Sequence, residues 1–191
     1  MKQLTIGICD NHELTATDLE KLVSLIMLEL EISCKIRTYH TEEALLQNFL
    51  ESDIIFLSIE ASEVDGIQAG RQIMRANPDS ILIVVSEQEK KYKDAFRMGA
   101  LRFITRPLQK EEVAEALQAA IKPFLGCETI EVSYNRCSCT IMQREISLAS
   151  AYNGYTEFVA GSKKLRRDMS LSAVEQLLNR ELFVESVSST S

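Results

Sequence analysis

The sequence predicts an α/β protein in which a doubly wound, five-stranded parallel sheet precedes a smaller, mostly β domain. Over the first 125 residues, short apolar runs that end in polar residues alternate with segments of helical period. After Pro123 and Gly126 the pattern changes to alternating polarity, with many β-branched and aromatic residues. We therefore expect two domains, at 1–125 and 127–191.

Apolar runs indicate the strands of the parallel sheet. They lie at 4–9, 53–58, 81–85 and 103–105. Polar side chains stand at or just after the ends of these runs: Asp10, Ser58, Ser86 and Arg106. Ligands of open α/β sheets bind in the crevice outside the carboxyl ends of the strands. We therefore expect these four side chains to meet in one pocket.

Segments with a periodic apolar face supply the helices between the strands. The predicted helices cover 14–30, a segment that begins after Thr41, 66–76, 90–98 and 110–122. Thr41 is suited to cap its helix, and acidic residues follow it in the first turn, where the helix dipole favours them. The third helix should end before Asn77-Pro78, because a residue that precedes proline avoids helical geometry.

The second domain is predicted to be mostly β. Its expected strands lie at 128–132, 138–142, 155–160 and 165–169. Residues 161–163 are typical of a hairpin loop, and Ser170 is suited to cap one helix at 171–179. The serine-rich segment 186–191 is expected to be frayed.

Charge is unevenly distributed along the chain. The net charge of −7 argues against a protein that coats nucleic acid through general basicity. Residues 1–126 hold 14 Lys and Arg against 20 Asp and Glu, whereas residues 127–191 hold 7 against 8. The second segment includes a basic cluster of Lys163, Lys164, Arg166 and Arg167. This cluster is a candidate DNA-binding site, and an ordinary solvated hairpin is the alternative.

The sequence carries no secretion signal and no apolar run of the roughly 18 residues that a membrane span requires. We therefore expect a cytoplasmic protein. Its five cysteines, an odd number, fit reduced thiols better than a disulfide framework. Cys137-Ser138-Cys139 lacks metal-site spacing and a nearby histidine, so we expect no metal site there.

The predicted pocket has few groups for chemistry. Mg²⁺ in proteins is usually held by one or two carboxylates, with waters and phosphate oxygens, and this pocket offers one firm carboxylate, Asp10. Ser58 carries no charge, binds Mg²⁺ poorly, and has no visible base to activate its hydroxyl. The pattern is that of a phosphoryl-transfer pocket without its nucleophile. We expect no catalysis and no cofactor, with Asp10 at most a weak Mg²⁺ ligand.

Five motifs follow one another through the first domain. They are Gly7-Ile8-Cys9-Asp10-Asn11, Phe56-Leu57-Ser58-Ile59-Glu60, Val64-Asp65-Gly66-Ile67, Val84-Val85-Ser86 and Phe103-Ile104-Thr105-Arg106-Pro107. In this order and spacing they resemble the motifs of the bacterial response-regulator receiver domain, which has a flavodoxin-like fold. The resemblance implies a role in two-component signal transduction.

The resemblance also implies what each position does in the family. Asp10 and Asn11 stand where the family has its acidic pair, and Ser58 stands in place of the phosphoacceptor aspartate. Arg106 replaces the family's lysine, and its planar fork is not equivalent to a compact ammonium group. Ala61-Ser62 stand where Met-Pro is common. Together these departures predict a pseudo-receiver that has lost phosphorylation chemistry.

Two further positions match the family's switch residues. Ser86 corresponds to the switch hydroxyl, although a serine here could simply cap the following loop. Phe103 corresponds to the switch aromatic, although its apolar ring also fits a place in the core.

The second domain resembles a LytTR-type DNA-binding domain. The matching stretches are Tyr152-Asn153-Gly154-Tyr155-Thr156, Arg167-Asp168-Met169-Ser170-Leu171 and Glu181-Leu182-Phe183-Val184. They cover the front two thirds of such a domain, and Val187 and Ser188 stand where a His-Arg or similar pair is usual. We therefore expect a shortened domain with weakened DNA binding.

These observations predict a response-regulator-like transcriptional regulator that signals without aspartate phosphorylation. One alternative is an adaptor that binds no DNA, and another is a phosphorelay receiver with an atypical site. The surface at 90–122 is a candidate interface for a homodimer or for another response regulator. It carries complementary charges, with Lys90, Lys91, Lys93 and Arg97 on one helix and Glu111, Glu112 and Glu115 on the other.

Overall fold

A computed structural model of the chain describes residues 3–59, 64–134, 137–178 and 182–183. The chain divides into two compact units between Ile121 and Lys122. Each unit has its own five-stranded sheet, and the two sheets differ in strand direction.

The first unit contains a parallel sheet with strands in the order β2-β1-β3-β4-β5. The strands are β1 (Leu4–Cys9), β2 (Cys34–Tyr39), β3 (Ile54–Ser58), β4 (Ile81–Ser86) and β5 (Arg102–Thr105). Because β1 lies between β2 and β3, the chain reverses its direction of winding there and places helices on both faces. The predicted doubly wound parallel sheet is confirmed.

Five helices connect these strands. They are α1 (Glu13–Glu29), α2 (Glu42–Asn48), α3 (Val64–Ala76), α4 (Tyr92–Met98) and α5 (Lys110–Ile121). α1 contacts α5 on one face of the sheet, and α3 contacts α2 and α4 on the other. α3 ends before Asn77-Pro78, as predicted. Gly99, at φ 92°, terminates α4 and directs its N–H to the carbonyls of Ala95 and Phe96.

The central strands β3 and β4 form the floor beneath the site. Every residue of β3 is buried, as are the last five of β4. Side chains of these strands pack with α3 and α4 in a core that includes Leu57, Ile73, Leu82, Val84 and Met98. Burial on both faces is why the two strands could be recognised as continuous apolar runs.

Strand β2 was not among the runs recognised in the sequence. It is an edge strand, and Lys35 and Arg37 alternate with less polar residues along it. Charged residues protect an exposed edge from pairing with another chain. Because these charged residues interrupt the sequence, β2 has no continuous apolar run and was not predicted as a strand.

The second unit contains an antiparallel sheet in the order β7-β6-β10-β9-β8. Its elements are β6 (Thr129–Tyr134), β7 (Cys137–Met142), β8 (Leu148–Tyr152), β9 (Tyr155–Ala160), β10 (Lys163–Arg167) and α6 (Leu171–Glu175). One face packs a core that includes Ile130, Val132, Phe158, Leu165 and Val174. We call the opposite face of this sheet the outer face. The predicted mostly β second domain is confirmed.

Several boundaries in this unit differ from the prediction. β8 was not predicted, because alanine and serine have little strand propensity. β10 begins at Lys163, so the hairpin loop has two residues, Gly161-Ser162, with Gly161 at φ 58°. Ser170 caps α6 as predicted, accepting the Ala173 N–H at 3.3 Å, but the helix ends at Glu175.

Two other expectations concern the chain as a whole. Within the described part of the chain, no helix has the length and apolar character needed to cross a membrane. The segment 186–191, predicted to be frayed, lies outside the described residues.

Thr41 provides a test of the local signals that begin a helix. Its Oγ1 accepts the Ala44 N–H at 3.2 Å, which satisfies one of the free donors at the start of α2. We expect Thr41→Ala to lower the free energy of unfolding by about 1 kcal/mol, measured by urea denaturation. Thr41→Ser keeps the acceptor and should stay within a few tenths of the unaltered protein. Equal losses in both variants would contradict a capping role.

Candidate functional site

The site lies at the carboxyl ends of four neighbouring strands of the first unit. Asp10 follows β1, Ser58 and Ser86 end β3 and β4, and Arg106 follows β5. The strand register brings these ends level, since Ser58 pairs with Val85 and Ser86 pairs with Thr105. The structure therefore places the four predicted residues at one edge of the sheet.

A buried ion pair between Asp10 and Arg106 forms the centre of the site. Asp10 is 1% exposed, and the Arg106 side chain is 9% exposed. Arg106 Nη2 donates to Asp10 Oδ2, while Asp10 Oδ1 accepts the backbone N–H of His12 at 3.0 Å. An unpaired buried carboxylate is costly, and the guanidinium compensates it directly. Both oxygens of the firmest carboxylate in the pocket are therefore engaged by groups of the chain itself.

Ser58 lies beside this pair and is also buried, at 8% exposure. Arg106 Nη2, the nitrogen that binds Asp10, lies 3.4 Å from the Ser58 hydroxyl oxygen, a distance at the weak end of hydrogen bonding. A guanidinium donates hydrogen bonds and cannot take up a proton. This neighbour therefore does not act as the base that a serine nucleophile needs.

Ser86 is fully buried and is bound to the backbone on both sides. Its hydroxyl donates to the carbonyl of Ile59 at 2.7 Å and accepts the N–H of Gln88 at 3.2 Å. These bonds hold the loop after β4 against the segment that follows β3. In this conformation Ser86 has a loop-capping contact, and its predicted switch role stays a prediction.

Two further residues predicted for this site are Asn11 and Phe103. Asn11 is exposed at the start of the loop that leads to α1. Phe103, the predicted switch aromatic, lies on β5, is half-buried, and packs against the core shared with α3 and α4. The structure thus brings Asp10, Ser58 and Arg106 together.

The donor set does not fit a tightly bound Mg²⁺. The ion requires near-octahedral coordination by hard oxygen ligands, often including two carboxylates. Here a guanidinium occupies one oxygen of Asp10, and the neighbouring Ser58 contributes no charge. Arg106 is a permanent cation, so it would repel a metal ion at this position. Among the described side chains, no group of three or more His, Cys, Asp or Glu is arranged to hold a metal.

Sequence reasoning missed two features of the surroundings. His12 Nδ1 lies 3.9 Å from Asp10 Oδ1. The separation of only two residues in the sequence could have indicated this contact. A cleft of about 910 Å³ adjoins Arg106 and is lined by Leu22, Leu25, Pro107 and Leu108, among others. Both leucines belong to the periodic apolar face of the helix predicted at 14–30, and that periodicity does not distinguish side chains in the core from side chains that line a cleft.

The predicted basic cluster of the second unit is divided between two faces of the sheet. Along β10, Lys164 and Arg166 lie on the outer face, whereas Lys163 and Arg167 lie on the side of buried Leu165. Because a strand has a period of two, neighbouring cations cannot form one patch on one face.

Each of these cations has a partner in the chain. Lys164 binds Glu157 at 3.0 Å, and this hydrogen bond raises the pKa of the lysine. Arg166 binds Asp168 at 2.6 Å and lies over the Tyr155 ring, 4.0 Å from its centroid. The remaining partners are the Tyr134 ring for Lys163 and the Glu131 carbonyl for Arg167.

The predicted interface at 90–122 includes an aromatic pair that sequence reasoning did not identify. The rings of Tyr92 and Phe96 on α4 are exposed and meet edge to face, with centroids 6.4 Å apart. Lys93 lies over the Tyr92 ring, and Arg97 contacts Asp94 at 3.5 Å. This surface therefore offers apolar area in addition to charge.

Comparison with known proteins shows similarity over both units. The profile of the response regulator receiver domain matches residues 6–118. The chemotaxis protein CheY of Listeria monocytogenes is 39% identical over 75 residues, which cover 38% of this chain and 63% of that protein. The transcriptional regulatory protein LytR of Staphylococcus aureus is 24% identical over 200 residues, which cover 96% of this chain and 79% of that protein.

Solved structures support the fold of the first unit. The signal receiver domain of an HD domain-containing protein from Pseudomonas fluorescens aligns with a TM-score of 0.56 at 19% identity, covering 64% of this chain and 97% of that domain. Identity at this level supports the fold alone.

Breaking the buried ion pair tests its importance for stability. Arg106→Met leaves the Asp10 carboxylate buried without a cation, and we expect the free energy of unfolding to fall by about 3 kcal/mol. Because the loss comes from an unpaired charge, Asp10→Asn combined with Arg106→Met should be more stable than Arg106→Met alone. Urea unfolding followed by circular dichroism measures both effects.

The pair between Arg37 and Glu51 provides a matched control, because the glutamate is 63% exposed. Arg37→Met should cost less than about 1 kcal/mol. If the two arginine substitutions had equal effects, burial would not distinguish the two pairs and our interpretation would be wrong.

Proposed function

The chain belongs to the response regulator receiver domain family, and we propose that it is a pseudo-receiver regulator that signals without aspartate phosphorylation. In this proposal the first unit transmits a signal through its surface, and the second unit is a LytTR-type module that contacts DNA weakly. The protein acts by binding and catalyses no reaction.

The observation that carries this proposal is the ion pair between Arg106 and Asp10. A phosphorylatable pocket needs carboxylates that are free to hold Mg²⁺ and a phosphoryl acceptor beside them. The Arg106 guanidinium places a positive charge beside Asp10, where phosphoryl transfer would need Mg²⁺. A pocket that already contains its own compensating cation has little electrostatic reason to bind one from solution.

The neighbouring groups support the same proposal. Ser58 is neutral and lies within reach of the Arg106 guanidinium, and Ser86 is held by backbone groups. Phosphorylation of Ser58 would require a base to take its proton. The chain spans 63% of the length of the chemotaxis relative described above, so the activity of that whole protein is not transferred to it.

The DNA-binding part of the proposal is supported by similarity to LytR, which extends over 96% of this chain. In physical terms it depends on Lys164 and Arg166, which lie together on the outer face. Their partners Glu157 and Asp168 are acidic side chains of the same unit. A phosphate would have to replace these carboxylates, so we expect weak binding with a strong dependence on salt.

An adaptor that binds no DNA is the second candidate. The exposed Tyr92 and Phe96 pair favours it, because aromatic side chains are enriched where proteins bind one another. Such an adaptor would bind a copy of itself or another response regulator through α4, β5 and α5. The DNA measurements below separate the two candidates.

Loss of phosphorylation chemistry can be tested directly. We expect incubation with acetyl phosphate and Mg²⁺ to leave the intact mass of the protein unchanged, since the pocket lacks an acceptor carboxylate and a free metal site. A phosphoryl adduct on residues 53–59 of the unaltered chain would contradict the proposal.

A graded set of variants serves as the control. Ser58→Asp alone should gain little, because Arg106 still occupies Asp10. Asn11→Asp, Ser58→Asp and Arg106→Lys combined should acquire an adduct, because they add two carboxylates beside Asp10 and replace the guanidinium with a compact ammonium group. An adduct in the single variant equal to that in the triple variant would exclude Arg106 as the obstacle.

Binding to duplex DNA should depend on the outer face of the second unit. Each phosphate contact contributes about 0.9 to the slope of log affinity against log salt concentration, which fluorescence anisotropy can measure. We expect Lys164→Ala with Arg166→Ala to reduce affinity about equally on all duplexes and to lower that slope.

Lys163→Ala with Arg167→Ala removes the same charge from the opposite face and is the matched control. We expect this control to change the slope of log affinity against log salt concentration less than the Lys164 and Arg166 variant does. Binding that neither pair affects would locate the DNA site elsewhere on the chain, and the absence of binding would favour the adaptor.

A further inference from the structure

Strand β8 has neither charged residues nor proline, two features by which proteins protect the edge of a sheet. Its sequence, Leu148-Ala149-Ser150-Ala151-Tyr152, contains no charge and no proline. Within the described residues it pairs with β9 alone, and Leu148 and Tyr152 are 51% and 50% exposed. The other unit's edge strand β2 carries Lys35 and Arg37. An uncharged edge with exposed apolar side chains is a template for pairing with another strand.

The hairpin between β8 and β9 determines which backbone groups of β8 are available. Tyr152 and Tyr155 flank a two-residue loop and form the last pair of this ladder. Residues that flank such a loop exchange both backbone hydrogen bonds, and bonding then alternates along the strand. Ala149 and Ala151 therefore direct their N–H and C=O groups away from β9, towards the free edge.

We propose that β8 pairs antiparallel with the β8 strand of a second copy of this chain, about a two-fold axis at Ser150. In this register Ala149 lies opposite Ala151 of the second copy, so the outward backbone groups of both residues find partners. Leu148 lies opposite Tyr152 of the second copy, and symmetry repeats the contact. This reciprocity is what an isologous interface requires. The inference is independent of the proposed loss of phosphorylation and of DNA binding.

Tyr152 is already held in position for this contact. Its ring stacks on that of Tyr155, with centroids 5.2 Å apart and planes 8° from parallel, and Arg166 lies on the Tyr155 ring. Because Tyr155 covers one face of the Tyr152 ring, the other face is turned from β9 towards the free edge. A side chain ordered before association loses less entropy when a partner binds.

Pairing between two copies is more favourable through β8 than through β7, the other edge strand of the same sheet. β8 places its two large apolar side chains at equal distances from Ser150, so each meets the other across the axis. The outer face of β7 presents the hydroxyls of Ser138 and Thr140, followed by Met142. Pairing through β7 would remove two hydroxyls from water with little apolar gain.

Sedimentation velocity of the full chain, in reducing buffer over a range of concentrations, tests the proposal. We expect a reversible dimer whose dissociation constant rises about tenfold or more in Ser150→Lys, because two ammonium groups would then meet at the axis. Within its own sheet, position 150 lies opposite Glu157, so the substitution should not disturb the fold.

Ala151→Pro is a second variant that does not depend on charge. It removes one outward N–H and should weaken the dimer while leaving the hydrogen bonds to β9 intact. Circular dichroism and thermal unfolding establish that both variants are folded. Thr140→Lys on β7 is the matched control and should leave the dissociation constant unchanged.

Three outcomes would overturn the proposal. One is a chain that is monomeric at every concentration. Another is a dimer that Thr140→Lys weakens and the two β8 variants do not. The third is a dimer that responds only to Lys91→Glu with Lys93→Glu, which would locate the interface on the receiver surface at 90–122.

Discussion

The ion pair between Asp10 and Arg106 constrains the whole strand-end region of the first unit. Asp10 follows β1 and Arg106 follows β5, with β3 and β4 between them in the sheet. The guanidinium therefore spans the edge of the sheet and reaches a carboxylate that is almost completely buried. Such a carboxylate requires compensation, and here the compensation is covalently part of the chain. A bound metal ion can dissociate, whereas the positive charge of Arg106 stays beside Asp10.

The pair also explains why a serine is tolerated at position 58. Arg106 neutralises one carboxylate, and a second carboxylate beside it would leave a net negative charge in a buried place. A neutral hydroxyl avoids that cost and lies within reach of the same guanidinium. Ser58 and Arg106 are therefore physically coupled, and each makes the other easier to accommodate.

Much of the first unit could be predicted because its central strands are buried on both faces and appear as apolar runs. The rule that strand ends converge correctly brought Asp10, Ser58, Ser86 and Arg106 to one edge. Sequence spacing could not indicate which of them would bind, since Asp10 and Arg106 lie 96 residues apart. The hydrogen bond from Ser86 to the Ile59 carbonyl could not be predicted, because every residue has a backbone carbonyl. In the second unit, β8 escaped prediction because its small side chains carry little strand preference.

The two sheets also differ in how far apart along the chain their paired strands lie. Parallel neighbours in the first unit are separated by helices, whereas two-residue loops join β8 to β9 and β9 to β10. Closing short loops costs little entropy, and isolated hairpins form in about 1–10 μs, faster than sheets of distant strands. During synthesis the first unit leaves the ribosome before the second. Early hairpin formation thus covers the edge of β8 that faces β9, while the opposite edge stays exposed in the described part of the folded sheet.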